Sequence, residues 1–225
     1  MFRIKICGIT SLEDARVAVE AGADAIGLNF FPQSPRFVAG QQAREIAEAV
    51  RGKAVRVGVF VNSTVEEILR TVETTPLDAI QLHGDEPPEF LPRLAGHAVV
   101  RAFRAGPEGL APLFAFLAAC RELESPPHRV LLDSLSKGAY GGTGTLADWQ
   151  LARLFAEEPS APPLVLAGGL TADNVAAAIR AVRPAGVDTA SGVESSPGRK
   201  DADLVRRFVA AARVAFDEQW VVGSG

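Results

Sequence analysis

The chain has 225 residues, 48% of them hydrophobic and 22% charged, with a net charge of −4 from 23 Lys and Arg against 27 Asp and Glu. That balance excludes an intrinsically disordered chain, and the missing basic surplus argues against a nucleic-acid partner. Two cysteines, Cys7 and Cys120, rule out a disulfide framework and suit a reducing, cytoplasmic setting.

Residues 2–6 open the chain as a short apolar run, and Thr10 with Glu13 has capping-box spacing for a following helix. A second run, 25–30, precedes Ala43, Ile46, Ala47 and Val50, which recur at helical period. After the third run, 55–61, Ser63 with Glu66 fits another capping box ahead of Val65, Ile68, Leu69 and Val72. The runs 79–82, 98–103 and 130–132 each precede a less regular helical stretch, at 87–94, 110–119 and 146–156; Pro112 sits near a helix start, where its missing N–H is tolerated. The run 164–167 leads through Thr171, a candidate cap, to Val175, Ala178, Ile179 and Val182. The last run, 186–189, precedes a helix with Leu204, Val205, Phe208, Val209 and Ala212 on one face.

Apolar runs this short read as buried strands, and strand–helix alternation means a parallel sheet. Eight units averaging about 28 residues favour closure. The fold class is therefore α/β, a single (β/α)8 TIM barrel with outer helices over residues 1–220, and 221–225 is expected to be a flexible tail. The longest apolar stretch, 110–120, is interrupted by Pro112 and falls short of the roughly 18 residues a membrane span needs. Arg3, Lys5 and Gly8 leave no apolar core for a signal peptide. The cysteines and His83, His97 and His128 show no metal-ligand spacing, so no metal cluster is expected.

Active sites of such barrels form at the C-terminal strand ends. The polar residues there are Cys7, Asn29, Gln81 with His83, Arg104, Asp133, Gly168 with Gly169, and Ser191 with Gly192. The last two pairs follow strands seven and eight, where barrels commonly bind phosphate through backbone N–H groups and a short extra helix. An isolated Gly-Gly is only a tight turn; two such turns in adjacent positions favour an anion site. Cys7 reads either as a small buried hydrophobe or as a thiol held as thiolate by a helix N-terminus. Asp133 reads either as a turn cap or as a carboxyl group whose pKa apolar surroundings raise, ready to donate a proton. His83 lies at the mouth, whereas His97 and His128 precede strands and read as surface residues. Arg36, in the loop after strand two, is either a solvated arginine or a bidentate carboxylate clamp.

Several segments together resemble the phosphoribosylanthranilate isomerase family of tryptophan biosynthesis. They are Lys5-Ile6-Cys7-Gly8-Ile9-Thr10, Ser34-Pro35-Arg36, Val57-Gly58-Val59-Phe60, Gln81-Leu82-His83-Gly84, Leu132-Asp133-Ser134, Gly141-Gly142-Thr143-Gly144, Leu166-Ala167-Gly168-Gly169-Leu170 and Ser191-Gly192-Val193-Glu194. They run from strand one to strand eight. Thr189-Ala190 departs from the usual Val-Ser, and 106–128 matches no pattern. The resemblance implies a cofactor-free Amadori rearrangement of N-(5'-phosphoribosyl)anthranilate, with Cys7 as general base and Asp133 as general acid. It implies that Arg36 recognises the anthranilate carboxylate and that Gln81 and His83 contact the substrate. It places the phosphate on Gly168, Gly169, Ser191 and Gly192, with the loop of Gly142 and Gly144 closing over it. It also implies a small phosphoribosyl molecule as partner and a monomer or homodimer as the assembly. Two rivals stay open. One is the related isomerase of histidine synthesis, which resembles an enzyme with aspartate as the strand-one base. The other is a catalytically silent phosphosugar-binding barrel.

Overall fold

The computed structural model describes residues 2–133 and 146–222. Its parallel strands β1 (Ile4–Cys7), β2 (Ala25–Asn29), β3 (Val55–Phe60), β4 (Ala79–Leu82), β5 (Ala98–Arg104), β6 (Arg129–Asp133), β7 (Leu164–Ala167) and β8 (Gly186–Thr189) close in chain order, with β8 paired back onto β1. The helices are α1 (Leu12–Glu20), α2 (Gly40–Ala49), α3 (Val65–Thr74), α4 (Phe90–Arg93), α5 (Ala111–Glu122), α6 (Leu146–Ala156), α7 (Val175–Val182) and α8 (Ala202–Val222). The eight-unit α/β barrel expected from the sequence is the observed fold. None of the described helices is long and apolar enough to cross a membrane.

Side-chain alternation along each strand separates two cores. Inward-facing Ala25, Val57, Ala79, Val100, Leu131 and Val165 fill the barrel, with Phe2 packed among them ahead of β1. Outward-facing Ile4, Ile6, Ile26, Leu28, Leu132 and Leu166 pack beneath the helices. Lys5 and Cys7 share the inward face of β1 because Ile4 and Ile6 take the outward one.

Local details differ from expectation in identifiable ways. Ser11, not Thr10, caps α1 by accepting from the Asp14 N–H at 3.0 Å, while the Thr10 hydroxyl donates to the Gly198 carbonyl at 2.5 Å. Thr64, not Ser63, caps α3, in a capping box with Glu67. Adjacent hydroxyl residues offer two phases at each start, and the apolar stripe decides: this phase turns Ala15 and Ala18, and Val65 and Ile68, toward the barrel. The helix expected after Thr171 starts at Val175, because Asn174 ties the turn by accepting from the Thr171 N–H at 2.8 Å and donating to the Gly169 carbonyl at 2.9 Å. The helix α4 is only four residues long, with Pro87 and Pro88 just ahead of it and Pro92 in its first turn. An antiparallel hairpin, β9 (Glu194–Ser196) and β10 (Arg199–Lys200), lies between β8 and α8.

Candidate active site

The strands β1 and β6 each end on a reactive group: Cys7 closes the first and Asp133 the second. Alternation with interior Leu131 turns Asp133 inward, as alternation with Ile6 does Cys7, so both project into one mouth.

Beneath Cys7 lies a buried ion pair. Lys5 Nζ donates to Asp188 Oδ1 at 2.9 Å, with side-chain exposures of 0% and 8%. Gly27 on β2 makes room for this arrangement. A Cβ there would stand 2.6 Å from Cys7 Sγ and 3.2 Å from Lys5 Cε. Burial pushes the Cys7 thiol above its usual pKa, and the Lys5 ammonium opposes that rise. Of the two readings of Cys7, the thiol in a charged setting has that charge supplied here by a lysine two residues before it, whereas α1 begins only at Leu12.

Across the mouth, burial raises Asp133 to about 6; Arg104 pulls it down and Asp188 pushes it up. Asp133 Oδ2 lies 3.9 Å from His83 Nε2 and 3.8 Å from Arg104 Nε. His83 falls to about 3, chiefly through burial and then through Arg104, Lys5 and Arg101, so its ring is neutral. Gln81 Nε2 lies 2.8 Å from His83 Nδ1. With the amide donating, the ring proton sits on Nε2, the nitrogen that faces Asp133. Gln81 is fully buried, and its Oε1 has no hydrogen-bond partner among the described residues.

Arg36 reaches the same mouth from the loop after β2. Its stem crosses Gly8, where a Cβ would stand 2.3 Å from Arg36 Cδ. Its guanidinium makes a two-bond contact with Glu194, Nε to Oε1 at 2.8 Å and Nη2 to Oε2 at 2.6 Å. Lys200 Nζ donates to the same Oε1 at 2.8 Å and to the Ala190 carbonyl at 3.1 Å.

The turns after β7 and β8 are built against one another. Gly168 and Gly169 have φ of 88° and 60°, which glycine adopts without strain. Ser191 opens a short 3-10 turn, Ser191–Val193. A Cβ on Gly192 would meet the Leu170 carbonyl oxygen at 1.9 Å, and the Thr189 hydroxyl donates to that same oxygen at 2.7 Å. Gly142 and Gly144 lie outside the described residues. No group of three His, Cys, Asp or Glu side chains able to hold a metal occurs among the described residues. A crevice of about 290 Å³ opens at the opposite end of the barrel, beside Pro163, Leu164, Pro184 and Gln219, away from these groups.

The profile of the family described as N-(5'phosphoribosyl)anthranilate (PRA) isomerase matches residues 4–211. The chain belongs to that family. It is 46% identical over 217 residues to the N-(5'-phosphoribosyl)anthranilate isomerase of Rubrobacter xylanophilus, covering 95% of this chain and 100% of the relative. The crystal structure of phosphoribosyl anthranilate isomerase from Thermotoga maritima superposes with a TM-score of 0.83 at 40% identity, over 95% of this chain and 100% of that one. A phosphoribosyl anthranilate isomerase in complex with reduced 1-(o-carboxyphenylamino)-1-deoxyribulose 5-phosphate superposes with a TM-score of 0.79 at 39% identity, over 95% and 100% of the two chains. This is a family of isomerases, and the motif resemblance read from the sequence identified it correctly.

The described sequence-predicted residues gather at the C-terminal end of the barrel. Lys5, Asp188, Glu194 and Lys200 were not singled out as site residues. Lys5 and Asp188 carried a readable signal, since each is a charge inside a short strand otherwise built for burial. Lys200 carried none and Glu194 appeared only as the end of the Ser191–Glu194 segment, because their contacts are made through the hairpin.

Proposed function

We propose that the protein converts N-(5'-phosphoribosyl)anthranilate to 1-(2-carboxyphenylamino)-1-deoxy-D-ribulose 5-phosphate in tryptophan biosynthesis, with Asp133 as general acid and Cys7 as general base. The observation that carries this reading is a thiol and a carboxyl group raised to about 6 on two strand ends facing one mouth.

The chemistry sets the order of events. Asp133 gives a proton to the furanose ring oxygen, the C1–O bond breaks, and the anilino nitrogen's lone pair forms the protonated Schiff base. The thiolate of Cys7 then takes the C2 proton, and the C–H electrons neutralise the iminium as an enolamine. Tautomerisation adds a proton at C1 and releases one from O2, so no proton is consumed overall. At pH 7 a carboxyl with a pKa of about 6 is protonated in roughly one molecule in ten. The reactive form, with thiolate and carboxylic acid together, is a minority of the free enzyme. Lys5 favours it by stabilising the thiolate, and burial of Asp133 favours it from the other side.

Arg36 serves as receptor for the anthranilate carboxylate, and the glycine turns at Gly168, Gly169, Ser191 and Gly192 receive the phosphate through backbone N–H groups, helped by the loop of Gly142 and Gly144. Gln81 and neutral His83 contact the sugar hydroxyls between them. A free thiol base suits a reducing cytoplasm.

Loss of anthranilate fluorescence on incubation with phosphoribosylanthranilate, with no metal or nucleotide added, tests the activity; the histidine-pathway substrate is run beside it. Cys7→Ala and Asp133→Asn should each cut kcat by about 10²–10⁴-fold while the reduced product analogue still binds. Undiminished turnover in both variants refutes the assigned roles.

A further inference from the structure

We infer that Glu194 and Lys200, carried on the β9–β10 hairpin, are positioning residues that fix Arg36 as a rigid receptor for the substrate's ring carboxylate. This rests on the proposed function, in which Arg36 meets that carboxylate.

A guanidinium offers two forks to carboxylates, a side fork through Nε and Nη2 and an end fork through Nη1 and Nη2. Glu194 takes the side fork with both oxygens. The end fork is left to point away from the protein carboxylate, on a side chain that is 23% exposed. Glu194 is itself held. Its side chain is 4% exposed, Lys200 donates to it from full burial, and both cations keep its carboxyl below the usual range. A carboxylate so anchored is a permanent strut and not a stand-in that substrate displaces.

The hairpin that carries the strut is docked where it must be. Gly198, at φ 81°, packs so that a Cβ would stand 2.7 Å from the Pro35 carbonyl oxygen, next to Arg36. The Thr10 hydroxyl donates to the Gly198 carbonyl, and the Lys200 N–H donates to Asp14 Oδ2 at 3.3 Å. The loops after β1, β2 and β8 thus converge on one guanidinium whose stem lies over Gly8, beside the thiol. The arrangement offers a fixed fork for a carboxylate and would hold the substrate's ring carboxylate at a set distance from Cys7.

The test is calorimetric binding of two stable ligands: the reduced product analogue with its ring carboxylate, and the same compound made with aniline, which lacks it. In Glu194→Gln the carboxylate ligand should bind at least about tenfold more weakly, the scale on which orienting partners act on the residues they hold. The aniline ligand should change less than twofold. Lys200→Gln should show the same selective pattern with smaller amplitude, and it keeps the inference testable if Glu194→Gln does not fold. Arg36→Met should abolish the preference between the ligands. If Arg36→Met does so but Glu194→Gln binds the carboxylate ligand as well as or better than wild type, the strut is refuted and the function stands. Equal weakening of both ligands in Glu194→Gln also refutes it, showing a general structural role. If Arg36→Met leaves the preference intact, the receptor role of Arg36 fails and the strut with it.

Discussion

Replacing Arg104 with methionine should move the acid limb of the pH–rate profile upward. Arg104 Nε lies 3.8 Å from Asp133 Oδ2 and favours the ionised carboxylate, opposing the burial that raises Asp133 to about 6. Two unit charges at this distance attract by about 4 kcal/mol near a protein surface and by about 1 kcal/mol in water. The Arg104 side chain is 45% exposed, so the screened figure applies, and about 1 kcal/mol corresponds to somewhat under one pH unit. The sign follows from the lost cation: the acid form gains, and the Asp133 pKa climbs from about 6 toward about 7. With the proposed roles, and with Cys7 titrating above Asp133, the acid limb of kcat/KM should follow Asp133 and the alkaline limb the thiol. The assay is kcat/KM for phosphoribosylanthranilate across pH 5 to 10 at two salt concentrations, with the displacement shrinking at high salt. An acid limb that stays in place or falls refutes the electrostatic reasoning. Movement of the alkaline limb instead would reverse the order in which the two groups titrate.

Three other outcomes are expected. Gly27→Ala puts a methyl group 2.6 Å from Cys7 Sγ and should cost about 100-fold in kcat with unchanged circular dichroism, since the thiol is displaced while the barrel survives. Gly192→Ala confronts backbone that cannot yield easily, the Leu170 carbonyl at 1.9 Å; urea unfolding should show a loss of about 1–3 kcal/mol, accompanied by weaker inhibition by inorganic phosphate. Lys5→Met strands the buried Asp188 carboxylate without its cation and should cost about 3–5 kcal/mol in the same unfolding assay, with much of the loss recovered by adding Asp188→Asn. A cost below about 1 kcal/mol for Lys5→Met, the value of an exposed pair, would mean that water reaches the Lys5–Asp188 pair.

The barrel was legible because its signals are local and repeated. Short apolar runs, helical stripes and turn glycines recur in each unit, and tertiary packing agrees with them. Cap positions slipped by one residue at Ser11 and Thr64 because neighbouring hydroxyls compete and only packing breaks the tie. Cys7 and Asp133 were readable as the polar residues that close apolar strands. The contact of Glu194 with Arg36 was not, since it spans 158 positions and is made through a hairpin of two very short strands with no apolar alternation. Lys5 shows a third situation. Its place two residues before Cys7 gave its facing, but its partner on the last strand emerges only when the sheet closes.

That closure has a consequence for when the protein becomes competent. Lys5 and Asp188 are separated by 183 positions and belong to the first and final staves of the cylinder. A chain emerging from the ribosome holds the thiol and its lysine from the outset, yet the counter-charge that secures the lysine arrives almost last. Partial cylinders therefore carry the thiol and its lysine without the finished ion pair. The strand pairing that seals the seam also brings Asp188 to Lys5, so the buried charge pair beneath the thiol and topological completion coincide.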